Sequence, residues 1–432
     1  MTRVVMICLV ALAINAVLIQ TVAADDSVLN TAMRVGVLVL AALAVTLHAA
    51  PMPVGIVLLT IYSAVLLAVR QNPDQLSFVF IFVLIFALFA VRERSLDKAV
   101  MFASLASLGM VFVFLSLGIT QNEVLDFRGR NTFGTNGVPF FYNLVYGAFG
   151  MLVFYFYKYK LRRRLLVMAG SVTLTTHLFN LTDARGECYS FIGFVALVFL
   201  VPALSRLGLF RFIAAMLPVI CLMASFYIAS LWDNGAANQL LSIWPILFNR
   251  FLENLTPVDV FLSTSVKEFD LAVTIVDNSY LHLLVGGGAA MCLVFFVIFA
   301  QSITNLFKAG RHVDVAFLIA TCVYFNSESI LLRIENMFVI YFWYLVLRYC
   351  NPMFPHSQQP RVLVPIEVSK PRKHKKNPKV LVPDWQRKPM ADVAAPSKPG
   401  HLPDWARPDR IDLSLLASRV ARRHAAHAES LC

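Results

Sequence analysis

Apolar runs of about twenty residues follow one another along this chain with few charges inside them, and that repetition limits what it can fold into. Examples are "FVFIFVLIFALFAV" at 78–91 and "LLVGGGAAMCLVFFVIFA" at 283–300. A transmembrane helix needs roughly 20 mostly apolar residues. In hydrocarbon every backbone N–H must be bonded within its own segment, so such runs are helices. A membrane β-barrel would alternate apolar and polar residues over ~10-residue segments instead, and no such pattern is present. The composition agrees: 59% of the 432 residues are hydrophobic and 14% charged, against about 25% charged in soluble proteins.

The sequence therefore predicts an all-α, polytopic integral membrane protein with about twelve spans. They fall near 4–23, 33–50, 52–69, 76–91, 98–118, 138–157, 164–180, 188–204, 209–231, 279–304, 314–331 and 336–349. The first run, followed by "TVAADD", can be read as an uncleaved first helix or as a signal peptide; the second run that follows at once favours the helix. The seven cysteines are scattered, with no CxxC pair or metal-ligand spacing, so neither a disulfide nor a metal is assigned from them.

Lys and Arg accumulate on the cytoplasmic side of membrane proteins. Taken alternately, one set of connections holds "RERSLDK" (92–98), "KYKLRRR" (158–164), "SRLGLFR" (205–211) and "KAGRH" (308–312). The other holds 24–26, 71–75, 119–137, 181–187, 232–278 and 326–335, and is far less basic. The first set is expected to be cytoplasmic, and with twelve spans both termini are too. The second set then faces outward, across the inner membrane of a bacterium.

After the membrane domain, residues 1–350, the character changes. Residues 351–432 hold 15 Lys and Arg against 7 Asp and Glu, most of the net +12, and are rich in Pro. They read as a disordered cytoplasmic tail. It could lie against anionic lipid or dock a partner through the repeated "LVPDW" (381–385) and "LPDW" (402–405).

The outward connections carry most of the unusual polar residues. Each of the longer ones holds an arginine: Arg128 and Arg130, Arg185, Arg250, Arg333. Positive-inside bias works against Arg there, so a function is the natural question. A guanidinium offers a planar fork that matches phosphate or carboxylate, and several converging would receive a pyrophosphate. Alternatively each pairs with a local acid: Arg185 with Asp183 or Glu187, Arg333 with Glu335 or Glu328. In "NLTDARGECYSF" (180–191) both acids are expected to hold Arg185. Asp277 and Asn278 stand where the chain re-enters the membrane, ahead of Tyr280, His282 and three glycines. A carboxylate at such a boundary among apolar residues is a candidate base; Asp or Asn there is equally a helix N-cap. His282 reads as a packed residue as readily as a catalytic one.

Four stretches in this order, "RNTFGTNG" (130–137), "TDARGECYSFIG" (182–193), "SIWPILFNRF" (242–251) and "DNSYLHLLVGGG" (277–288), resemble the Wzy-type polysaccharide polymerases and the related O-antigen ligases. The polymerases of xanthan-like exopolysaccharide clusters are among the members that come to mind. The resemblance covers about residues 1–350 and leaves out the basic tail. It implies a glycosyltransferase similar to the GT-C type, with catalytic loops at 119–137, 181–187 and 232–278. Such an enzyme polymerises undecaprenyl-pyrophosphate-linked oligosaccharide repeat units into exopolysaccharide or O-antigen, and needs no metal or other cofactor. Arg185 and Arg250 match the arginine positions best, with Arg130 next and Arg128, Asn136, Asn278, Tyr280, His282 and Arg333 as further substrate contacts. Asp277 takes the slot of the base, where the ligases typically carry His; this favours polymerase over ligase. The implied partners are the lipid-linked oligosaccharide, membrane lipid, a chain-length regulator and a flippase, and no nucleic acid. A lipid-linked oligosaccharide flippase or transporter is the competing reading from another class. Against it, the charges are expected to gather at the outer boundary, and no internal repeat is visible.

Overall fold

The computed structural model describes residues 2–350 except 22–27, 49–53, 73, 126–129, 242–243, 267–276 and 334–335. The predicted tail, 351–432, and Arg128 therefore lie outside the described residues. Among the described residues, ten helices on apolar runs or parts of them come first: α1 (Thr2–Thr21), α2 (Val28–His48), α3 (Val54–Arg70), α4 (Asp74–Leu88), α5 (Glu93–Ser116), α6 (Val138–Lys158), α7 (Arg164–Thr182), α8 (Arg185–Leu204), α9 (Gly208–Ala215) and α10 (Leu217–Ala229). Three short helices follow, α11 (Gly235–Leu240), α12 (Trp244–Glu253) and α13 (Pro257–Leu262), then α14 (Ser279–Lys308), α15 (His312–Tyr324) and α16 (Met337–Tyr349). A two-stranded antiparallel ribbon, β1 (Val124–Leu125) with β2 (Arg130–Asn131), pairs Leu125 with Arg130. The described chain is thus an all-α protein with almost no strand.

Five helices (α5, α6, α7, α8 and α14) are long and apolar enough to cross a membrane, or six if α9 and α10, bent by 64°, count as one. Among the described residues, shorter apolar helical stretches are Met6–Ile19 within α1, Thr31–Thr46 within α2, Val57–Arg70 within α3, and Asp74–Leu88, His312–Tyr324 and Met337–Tyr349. Large apolar side chains face outward along α2, α3, α7, α8 and α10, among them Val39, Leu58, Leu166, Phe199 and Met223. Exposure on that scale fits a membrane-embedded protein.

The middle of the bundle is α16. Every residue from Met337 to Leu347 is buried, as a helix apolar on all sides should be. Trp343 packs against Phe82 of α4 and Phe295 of α14, and its indole N–H donates to the Leu331 carbonyl at 2.9 Å. Between helices in lipid, close packing of this kind and interhelical hydrogen bonds replace the hydrophobic effect as the source of cohesion.

Helix α14 is interrupted at Gly288, whose φ of 76° and ψ of 166° suit glycine alone. The end of α13 fills the notch: a Cβ on Gly288 would lie 3.1 Å from the Phe261 carbonyl. The carbonyls freed by the break do not stay bare. Gly286 O accepts from Gln75 at 2.6 Å and Asn72 at 3.2 Å, and Val285 O accepts from the Thr264 N–H at 2.9 Å. Irregular backbone inside a membrane protein needs this kind of re-satisfaction. The break also anchors the connection after α13 beside the start of α4.

Candidate functional site

The connections after α5, α7, α10 and α15 meet at one end of the bundle. Helix α7 runs on to Thr182 and α8 begins at Arg185, so the expected loop 181–187 is a two-residue turn with Asp183 in the left-handed conformation, φ 50°. Gly186 lets the first turn of α8 approach the segment after α15: a Cβ there would meet Ser327 Oγ at 2.9 Å. That approach sets Glu187 of α8 beside Glu328. The segment 328–331 is itself pinned by Ser279. The Ser279 hydroxyl donates to the Glu328 carbonyl and accepts the N–H groups of Ile330 and Leu331 at 2.9 and 3.1 Å.

Glu187 and Glu328 are 4% and 7% exposed, and their carboxyl groups hydrogen-bond each other. Asp277, two residues before Ser279, is exposed and acts electrostatically on both. Arg130 lies in the field of Glu187, and Arg333 in the field of Glu328. The strand carrying Arg130 is docked on α7 by Asn131, which donates to the Leu181 carbonyl at 3.0 Å. Arg333 stacks over the Phe140 ring at 5.1 Å. Burial pushes the Glu328 carboxyl well above the ordinary carboxylate range; the charges of Glu187 and Asp277 push the same way, and Arg333 opposes them. The site therefore has an exposed carboxylate in front of a buried carboxyl pair, with two guanidiniums in the same field.

The residues singled out in the sequence take different places. Arg185 is 55% exposed, and its fork is engaged by Asp183 alone, Nε to Oδ1 at 3.0 Å and a second N–H to Oδ2 at 3.3 Å. The expectation that Glu187 also holds Arg185 is corrected, because Glu187 turns inward to Glu328. Asn278, not Asp277, is the N-cap of α14. Its Oδ1 accepts from the N–H of Tyr280 and Leu281, each at 3.0 Å. Its Nδ2 donates to Ser225 and to Asn326, joining α10 and the end of α15. With the cap supplied by Asn278, Asp277 is left on the surface among charged groups rather than apolar ones. Tyr280 is fully buried and donates to the Cys322 carbonyl at 2.8 Å. His282 stacks on Phe251. Asn136 donates to the Ile19 carbonyl at 2.9 Å and ties its loop to α1. Arg250 is exposed on α12, and among the described residues its guanidinium makes no ion pair with the carboxyl cluster. Among the described residues no group of His, Cys, Asp and Glu could hold a metal ion.

The opposite end of the bundle holds what sequence reasoning missed. Lys158 Nζ contacts Glu93 and Asp97 at 2.6 Å each and Asp314 at 3.1 Å. Arg311 pairs with Asp314 at 2.8 Å and with Glu93. Tyr159 and Tyr341 donate to Asp97 at 2.8 and 2.7 Å. Burial acts against the charge on Arg311, but Asp314 and Glu93 more than offset it and push its pKa well above the ordinary value. Charged residues thus gather at both ends of the bundle and not at one alone. In the sequence the segments at 92–98, 158–164 and 308–312 stand out only as basic connections. Glu93 and Asp97 from the first of them, Asp314 just after the last, and Lys158 and Arg311 point inward together; the signal lay in acids standing within or beside basic stretches.

No family model, no curated protein and no solved structure matches this chain. Fold and site together define an all-helical, membrane-embedded protein with a carboxyl-and-arginine site at one end.

Proposed function

We propose that the protein is a membrane glycosyltransferase of the polysaccharide-polymerase type, joining polyprenyl-pyrophosphate-linked repeat units at the outer face of a bacterial inner membrane. In this reading all twelve apolar runs cross, the end bearing Asp277 faces outward, and the end bearing Lys158 faces the cytoplasm. The observation that carries it is the exposed Asp277 beside Glu187 and Glu328, in the field of Arg130 and Arg333.

The chemistry asks for that combination. The acceptor hydroxyl attacks the anomeric carbon of the donor sugar as the bond to pyrophosphate breaks. Its proton passes to a base, a role supported for Asp277 by its exposure. The departing pyrophosphate takes the electron pair, and without a metal its charge must meet fixed cations. Arg130 and Arg333 act electrostatically on the carboxyl cluster; in this reading Arg185, paired with Asp183, and Arg250 supply the rest. A transporter reading draws on the buried ionic network at the other end, but those five charges are saturated by one another.

The test is chain extension on purified lipid-linked repeat unit, normalised to folded protein. Arg185→Ala and Arg250→Ala should each lower the rate about a hundredfold, the effect of removing a charged donor to a developing anion, and Arg185→Lys should lower it less. Extension at the wild-type rate in Arg185→Ala would make that arginine only the partner of Asp183. In a deletion strain, accumulated single repeat units fit a polymerase, long chains still on lipid a ligase, and units trapped on the inner leaflet a flippase.

A further inference from the structure

Glu187 and Glu328 come from different elements, α8 and the segment after α15, and they are brought together by the glycine at 186 and the serine at 279. Both are buried, and their carboxyl groups hydrogen-bond each other. An ionised carboxylate has only acceptor positions. Two of them can bond only if one keeps its proton, as in other close carboxyl pairs. Glu328 is the member pushed further toward keeping it, by burial first and then by the charges of Glu187 and Asp277.

Charge counting supports the assignment. With Glu328 neutral, Glu187 and Asp277 carry two negative charges, and Arg130 and Arg333 carry two positive ones. Among the described groups named here the charges then balance; ionising Glu328 as well would add a buried negative charge, which is costly. The other titratable groups facing the pair are Tyr142 of α6, Cys188 of α8 and Tyr324 of α15. Tyr142 donates to the Thr175 carbonyl at 2.7 Å, and Tyr324 donates to Asn143. Their hydroxyl protons are committed elsewhere, so the proton of the pair is its own.

We propose that Glu187 and Glu328 share one proton and act as a one-charge positioning unit behind Asp277, holding the negative charge that makes Asp277 a better acceptor of the incoming hydroxyl's proton. The shared proton rests on the burial of the two carboxyls and the close approach of their elements at Gly186 and Ser327. The effect on Asp277 rests on the proposed transferase reading. During transfer the acceptor O–C bond forms, the C–O bond to pyrophosphate breaks, and the proton moves to Asp277, which later yields it to water. Glu187 and Glu328 keep their single proton throughout and touch no reacting atom.

Two measurements on the full-length protein in lipid nanodiscs test this. Infrared spectra near neutral pH should show the C=O stretch of a protonated carboxyl, and Glu328→Gln should abolish that band. A band that persists in folded Glu328→Gln overturns the shared proton. In the chain-extension assay, Glu187→Gln should move the acid limb of the pH–rate profile to lower pH by about one unit, the size expected from removing one nearby like charge. Glu328→Gln, whose amide still donates to Glu187, should move it less. An acid limb that stays in place in Glu187→Gln refutes the positioning role. If the wild-type protein extends no chain, the transferase reading fails, while the infrared result still decides the shared proton.

Discussion

Replacing Lys158 with Met should be among the most damaging single changes in the described chain. Lys158 is the last residue of α6, and its ammonium faces Glu93, Asp97 and Asp314 at 2.6, 2.6 and 3.1 Å. Methionine fills a similar volume, so packing is roughly kept while the charge goes. Glu93 and Asp314 would still have Arg311. Asp97, whose side chain is 0% exposed, has Lys158 as its cation and would keep only the hydroxyls of Tyr159 and Tyr341. Removing one partner of a buried pair costs about 3–5 kcal/mol, because the other is left as an uncompensated buried charge. Adding Asp97→Asn removes that charge and should recover most of the loss. The assay is reversible unfolding in mixed detergent–lipid micelles of the wild type, both single variants and the double. If Lys158→Met costs under about 1 kcal/mol, the value typical of exposed pairs, or if Asp97→Asn gives no recovery, the account of a dry, mutually dependent network is wrong.

Two further outcomes follow from the described geometry. Gly288→Ala should destabilise the protein by about 1–3 kcal/mol through its backbone conformation, with the Phe261 carbonyl 3.1 Å from the new Cβ adding to the loss; the same unfolding measurement checks it. Glu328 should also make stability fall as pH rises. Its folded-state carboxyl is held well above the unfolded value of about 4.3, so its contribution is complete below that value and is lost as pH climbs through the raised one. Glu328→Gln should flatten the unfolding midpoint across that window, and an unchanged slope would place the proton elsewhere.

Helices were legible because the membrane leaves the backbone few options: a run such as 78–91 has no means of satisfying its N–H groups in hydrocarbon except helically. The break in α14 was only half legible. The three glycines at 286–288 marked an unusual place, but the capping groups come from Asn72 and Gln75, some two hundred residues away. The site shows the same division. Asn or Asp before a helix announces a cap, and Asn278 provides it. Nothing local announces that Glu187 will leave Arg185 to Asp183. On a helix the two flanking acids look equivalent partners; the choice is made by Gly186, which admits Ser327 and with it Glu328.

The two charged ends of the bundle are built on different terms. At the Lys158 end the carboxylates of Glu93, Asp97 and Asp314 each meet a cation, and Asp97 two tyrosine hydroxyls as well. Such a network specifies how α5, α6, α15 and α16 dock, since any other register would strand a charge. At the Asp277 end the interior pair is satisfied by itself, while Asp277 and Arg185 remain at the surface. Arg185 faces water, where its pairing with Asp183 is weak and exchangeable. An anion could therefore displace Asp183 at small cost, whereas none could enter the other network without stranding a buried carboxylate. Exchangeability, more than the number of charges, separates the end that can bind from the end that holds the fold.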